Sequence, residues 1–193
     1  MEPDDDALVQ QAQEGDADAF RKLVERHSAR VFRLSWRITG DEASAEDAVQ
    51  ETFFRAYRSL HRFDARARFG TWLHRIAVNT AIEIMRKSRR TPLEAPLGGH
   101  QEPEPLPSPE PGPERDALSQ EVQRSVRTAL AELSPMERTA FVLRHFEGRP
   151  IAEICRQLGL RESAGKQAIF RAVRKLRRTL EPLVQRSAVR SSS

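Results

Sequence analysis

The sequence predicts an all-α protein: two small helical domains joined by a proline-rich linker, the C-terminal one a helix-turn-helix. Three observations carry this. Apolar residues recur at helical spacing along most of the chain, and no run alternates as a strand would. Eight of the twelve prolines crowd into residues 91–113, with three glycines and almost no apolar periodicity, so this stretch packs no element and reads as an extended acidic spacer. Beyond it come a short apolar helix, a glycine turn and a strongly basic helix, in that order. The expected boundaries are 1–90, 91–113 and 114–193, and domains this small have little core to spare.

In the first domain, residues 6–26 carry Leu8, Ala12, Ala19, Phe20, Leu23 and Val24, and Gly15-Asp16 breaks them into two short helices. Val31, Leu34 and Ile38 continue the pattern over 28–39, which stops at Gly40. Residues 43–62 form the next helix, with Val49, Phe53, Ala56, Tyr57 and Leu60 as its stripe. After the connector HRFDARAR, the stretch Phe69 to Arg90 shows an apolar stripe at Phe69, Trp72, Leu73, Ile76, Thr80 and Ile84. A second face about a quarter turn away carries Arg75, Asn79, Ile82 and Arg86. Arg neutralises phosphate or reads guanine, and Asn offers a donor and an acceptor to a base edge. That face suits a nucleic acid as well as it suits water. Glu83, close to the apolar side, fits neither reading.

Helical pattern resumes at Glu114 and runs to about Val184, leaving SAVRSSS as a frayed tail. Ser134, Pro135 and Glu137 open a helix as cap, first residue and first-turn acid. Phe141, Val142, Leu143 and Phe146 make it apolar, and Gly148 ends it. Ile151, Ile154, Cys155 and Leu158 face inward on the next helix, Gly159 supplies the turn, and Glu162 or Ser163 caps the last helix. The buried stripe there is Ile169, Val173, Leu176 and Leu180; opposite stand Gln167, Arg171, Arg174, Lys175 and Arg178, with Lys166 on the flank. This is the layout of a recognition helix, readers toward its start and phosphate clamps further along, although an amphipathic helix for a protein partner has the same outline.

Composition narrows the function classes. Residues 64–90 hold seven basic and two acidic side chains and residues 161–178 seven and one, whereas residues 1–25 hold two basic and eight acidic. Two separated basic blocks point to two places where a polyanion docks. No apolar run approaches the ~20 residues of a membrane span, and the acidic start is unlike a signal peptide. A single cysteine, Cys155, excludes an intrachain disulfide and fits a reducing cytoplasm. No nucleophile–base pair, metal-ligand spacing or phosphate-binding glycine loop stands out, so neither a catalytic site nor a cofactor is expected.

Three segments in order resemble the extracytoplasmic-function (ECF) group of bacterial RNA polymerase sigma factors. EDAVQETFFRAYRSLHRF is similar to the group's core-polymerase-binding segment, TWLHRIAVNTA to its segment for the promoter −10 element, and LSPMERTAFVLRHFEGRPIAEICRQLG with the following basic helix to its −35 domain. The resemblance implies that Asp47, Gln50, Glu51, Phe53 and Phe54 grip core RNA polymerase. It implies that Phe63, Arg75, Asn79 and Arg86 serve −10 DNA, the connector from His61 to Arg68 receiving a base flipped from the opened strand. Lys166, Gln167, Arg171, Arg174, Lys175 and Arg178 would serve −35 DNA. The implied protein answers a stress or other signal in the cytoplasm and is held in check by an anti-sigma factor. A stand-alone helix-turn-helix regulator is the alternative, but it has no use for the VQETFFRAY segment. Two residues depart from the group's pattern. Gly165 replaces a β-branched residue and Ala168 an Arg, which implies an unusual promoter preference.

Overall fold

The structure, a computed structural model, describes residues 4–64, 66–90, 125, 126 and 128–190. The proline-rich linker and the helix start at Glu114 lie outside them. Among the described residues the regular structure is helical and there is no strand, and the chain divides into two compact units, Met1–Glu94 and Ala95–Ser193.

In the first unit α1 spans Asp5–Gln13, α2 Ala17–Thr39, α3 Glu42–Ser59 and α4 Phe69–Arg90, with a 3-10 turn at Leu60–Arg62. Part of the acidic N-terminal composition is spent on helix starts. Asp4, Asp16 and Asp41 each accept hydrogen bonds from first-turn amides of α1, α2 and α3, satisfying donors that have no partner within the helix. Gly15 breaks the chain where expected, but the next element is one long helix and not two short ones. α2 runs unbroken through Ser28 and ends at Gly40, whose φ of 92° only glycine adopts cheaply.

α2, α3 and α4 pack on one another, and α1 lies against α2. Leu8, Leu23, Ile38, Phe69, Leu73 and Val78 are fully buried at their centre. Because α4 packs on both α2 and α3, its buried arc is wider than a single stripe. Ala77, Val78, Ala81, Ile82 and Met85 all lie inside, while Ile76 and Ile84 are only half-buried. Ile82 is therefore a core residue and not a member of the polar face. Tyr57, expected inside, is exposed and meets Phe20 of α2 edge to face at 5.0 Å.

In the second unit a helical stretch at 128–131 precedes α5 (Pro135–His145), α6 (Ile151–Leu158) and α7 (Glu162–Arg190). Ser134 and Glu137 form a reciprocal capping box at the start of α5, and Gly159 closes α6 at φ 64°. α5 and α6 both pack on α7. Glu162 and Ser163 belong to the first turn of α7 and do not cap it, since Gly165 N–H already bonds to Arg161 O at 3.0 Å. The helical backbone also continues to Arg190, past the expected end.

The inner face of α7 is made of small residues. Gly165, Ala168 and Ala172 are buried together with Leu176, whereas Ile169, Val173 and Leu180 are half-buried. A Cβ on Gly165 would collide with Cys155 Sγ, so the close approach of α6 and α7 requires glycine. Ala168 is 2% exposed, and an arginine there would point into the core. Both departures from the group's pattern are thus packing features and say nothing of base preference.

Candidate nucleic-acid interface

On α4 the residues Arg75, Asn79 and Arg86 are all exposed. Their spacing of four and seven places them on one side of the helix, clear of the buried arc. The connector before it adds exposed His61, Arg62, Arg66 and Arg68. Arg68 O accepts the Thr71 and Trp72 amides, so this basic segment runs directly into the start of α4. Phe63, expected to touch DNA, is 8% exposed and packs against Trp72 at 5.0 Å and Phe69 at 6.1 Å. An aromatic ring held this way is a wedge between the connector and α4, not a platform for a base. Trp72, half-buried, is the member of the trio that retains accessible surface.

α3 carries a mixed outward face. Asp47, Gln50 and Phe54 are exposed, and Phe54 at 55% has the Arg58 guanidinium over its ring at 5.6 Å. Phe53 is 7% exposed and belongs to the core, so the two adjacent phenylalanines have opposite roles. Glu51 is engaged within the unit. Arg55 Nε donates to Glu51 at 2.6 Å, while Arg55 Nη1 reaches Glu83 of α4 at 2.7 Å. The Glu51 hydrogen bond outweighs the effect of burial and, with Glu83, raises the Arg55 pKa. Glu83, which no sequence pattern explains, ties α4 to α3.

The exposed residues of α7 include Lys166, Gln167, Phe170, Arg171, Arg174, Arg177 and Arg178. Lys166 pairs with Glu162 one turn back, Arg178 lies 3.5 Å from Glu132, and both remain largely exposed. Arg171 and Lys175 do something else first. Arg171 Nε and Lys175 Nζ donate to Glu137 of α5 at 3.0 and 2.7 Å, and the Glu137 side chain is only 6% exposed. Burial alone would push this carboxyl up. Hydrogen bonds from Lys175, the Ser134 amide and Arg171 outweigh that and hold its pKa at about 2. Lys175 also donates to Glu132 O at 3.3 Å and is a strut between α7 and the start of α5. Arg171, half-exposed, is anchored through one nitrogen, which orients the rest of its guanidinium.

Phe170, 66% exposed beside Lys166, Gln167 and Arg174, is absent from the residues expected on this face. Its signal in the sequence is an aromatic residue outside the buried stripe of a basic helix. A phenyl group on such a face suits contact with a thymine methyl. Among the described residues no group of three or more His, Cys, Asp or Glu could hold a metal, and no helix is long and apolar enough to cross a membrane.

A family model described as Sigma-70 region 2 matches residues 23–91, and one described as Sigma-70, region 4 matches residues 123–176. The chain is 33% identical over 185 residues to the RNA polymerase sigma-H factor of Pseudomonas aeruginosa, covering 94% of this chain and 96% of that protein. It is 34% identical over 184 residues to the ECF RNA polymerase sigma-E factor of Haemophilus influenzae, covering 93% and 97%. Among solved structures, CnrH in complex with the cytosolic domain of CnrY is similar at a TM-score of 0.60 and 28% identity, covering 92% of this chain and 97% of that one. The sigma factor RpoE in complex with the anti-sigma factor NepR, from Bartonella quintana, shares the fold at a TM-score of 0.59 and 20% identity.

Proposed function

Because this chain belongs to the ECF family of RNA polymerase sigma factors, we propose that it divides promoter recognition between two surfaces and holds polymerase with a third. The first unit binds core polymerase through Asp47, Gln50 and Phe54 on α3, with Glu51 contributing from its pair with Arg55. It meets −10 DNA through Arg75, Asn79, Arg86 and the connector from His61 to Arg68, which takes up a base flipped from the opened strand. The second unit reads −35 DNA with Lys166, Gln167, Phe170 and Arg171 near the start of α7, while Arg174 and Arg178 clamp phosphate. Lys175 acts from behind, through Glu137.

The observation that carries this reading is the exposed basic and amide face of α4, together with a second basic helix that belongs to a helix-turn-helix in the other unit. Activity is cytoplasmic and needs no cofactor or catalytic group of its own. Relatives of this fold are captured by partners: CnrH by the cytosolic domain of CnrY, and RpoE by NepR. We place this chain under the same kind of anti-sigma control. Run-off transcription with purified core polymerase on a genomic promoter library tests the assignment, Asn79→Ala and Asp47→Arg each being expected to silence it. Unchanged transcript yield from either variant counts against the surface it belongs to.

A further inference from the structure

Gln13 is the last residue of α1, yet its amide works on a distant part of the chain. Its Nε2 donates to the main-chain oxygens of Leu60 at 2.9 Å and Phe63 at 2.8 Å. These two carbonyls bracket the 3-10 turn that opens the connector, and the Phe63 amide itself bonds to Leu60 O at 2.9 Å. The two hydrogens of one amide group therefore hold both ends of the turn, a task that only Asn or Gln among neutral side chains can perform.

The arm that delivers this amide is fixed independently. Leu8, Val9 and Ala12 bury one side of α1, and Asp5 pairs with Arg26 at 2.7 Å and His27 at 2.8 Å on α2. Downstream of the turn, Phe63 is wedged against Trp72 and Phe69, and Arg68 O caps the start of α4. The connector is thus pinned at both ends, at Leu60–Phe63 from α1 and at Arg68 by α4. Asp64, Arg66 and Ala67 between them stay exposed, with Arg66 paired to Asp64 at 2.9 Å.

We propose that Gln13 is a positioning residue for promoter opening: from α1 it sets the frame in which the connector receives the displaced base. This rests on the proposed assignment of the connector to the −10 strand. A site that holds an extruded base must repay the cost of unstacking it, and it repays more when its backbone is already in place. A residue thirteen positions into the chain, remote in sequence from every DNA-facing segment, would then govern how well the opened strand is held.

The test uses the full chain assembled with core polymerase. The probes are fluorescein-labelled single-stranded −10 oligonucleotides from a promoter it transcribes, intact and with each base in turn replaced by an abasic site. The native protein is expected to lose about tenfold or more in affinity at one position. Gln13→Ala is expected to bind the intact strand about tenfold more weakly and to lose nothing further at that position, while the other abasic probes weaken as for the native protein. Gln13→Met keeps the length without the donors and serves if the alanine variant folds poorly; melts are recorded for both. Variants that retain the full native discrimination, or that weaken every probe alike, overturn the positioning role. A native protein indifferent to every abasic site overturns the connector assignment instead.

Discussion

Gly165 of α7 lies directly over Cys155 of α6, with no room for a Cβ between them. The contact sets how closely the two helices of the helix-turn-helix approach, and it is made by the smallest residue available. Gly165→Ala is expected to lower stability by about 1–2 kcal/mol, the overpacking cost exceeding the ~1 kcal/mol that alanine gains in a helix interior. Cys155→Ala in the same chain removes the clashing sulfur and should restore most of that loss. Chemical unfolding of the two single variants and the double variant measures the coupling; an additive double variant would show that the contact does not limit the packing.

Glu137 makes the second unit acid-sensitive. Its carboxyl holds its proton more weakly in the folded protein, at about 2 against an ordinary 4.5. Its stabilisation is therefore fully present above about 4.5 and fades as the pH falls toward about 2. At neutral pH it contributes on the order of 3 kcal/mol. Glu137→Gln should remove most of this and flatten the stability profile between those two values, as followed by denaturant unfolding at stepped pH. An unchanged profile would mean that Arg171 and Lys175 do not hold the carboxylate as the distances indicate.

Adjacent residues on α3 should separate folding from binding. Phe53→Ala empties a core position and is expected to cost about 3–5 kcal/mol. Phe54→Ala, Asp47→Arg and Gln50→Ala should stay within ~0.5 kcal/mol while weakening association with core polymerase. Thermal melts and a core-binding titration on the same four proteins check this. Equal loss of stability from Phe54→Ala would contradict its outward placement.

The same contrast holds on α4. Ile82→Ala should cost roughly 2–4 kcal/mol, whereas Arg75→Ala and Arg86→Ala should leave the melt nearly unchanged and make −10 binding less dependent on salt, each by a slope of about 1. Titrations at several ionic strengths distinguish the two classes of residue.

Much of this architecture is legible in the sequence because a helix announces itself by its period and its caps. Gly15, Gly40, Ser134 and Gly159 all sit at boundaries for the reasons their side chains suggest. What fails is the width and composition of buried faces. A single apolar stripe presumes one neighbour, but α4 has two, so Ile82 is drawn inside. Apolar periodicity also favours large residues, so on α7 it points to Ile169 and Val173 while the seam is made by Gly165, Ala168 and Ala172. Tyr57 shows the limit at single-residue scale: the stripe that rightly buries Phe53 also puts Tyr57 inside, yet Tyr57 is exposed, because only the packing partner decides how far around the helix the cover extends. Long-range polar contacts leave no local trace at all. Nothing near Glu83 in the sequence announces Arg55, nor anything near Gln13 the carbonyls of Leu60 and Phe63.

The most direct test of the sigma-factor assignment is run-off transcription with core polymerase on a genomic promoter library, run beside DNA binding by the protein alone. Specific transcripts are expected that require both proteins and that disappear with Asp47→Arg, although that variant melts like the native chain. Specific DNA binding without polymerase, with no transcripts when core is added, would contradict the assignment and make the chain a stand-alone regulator.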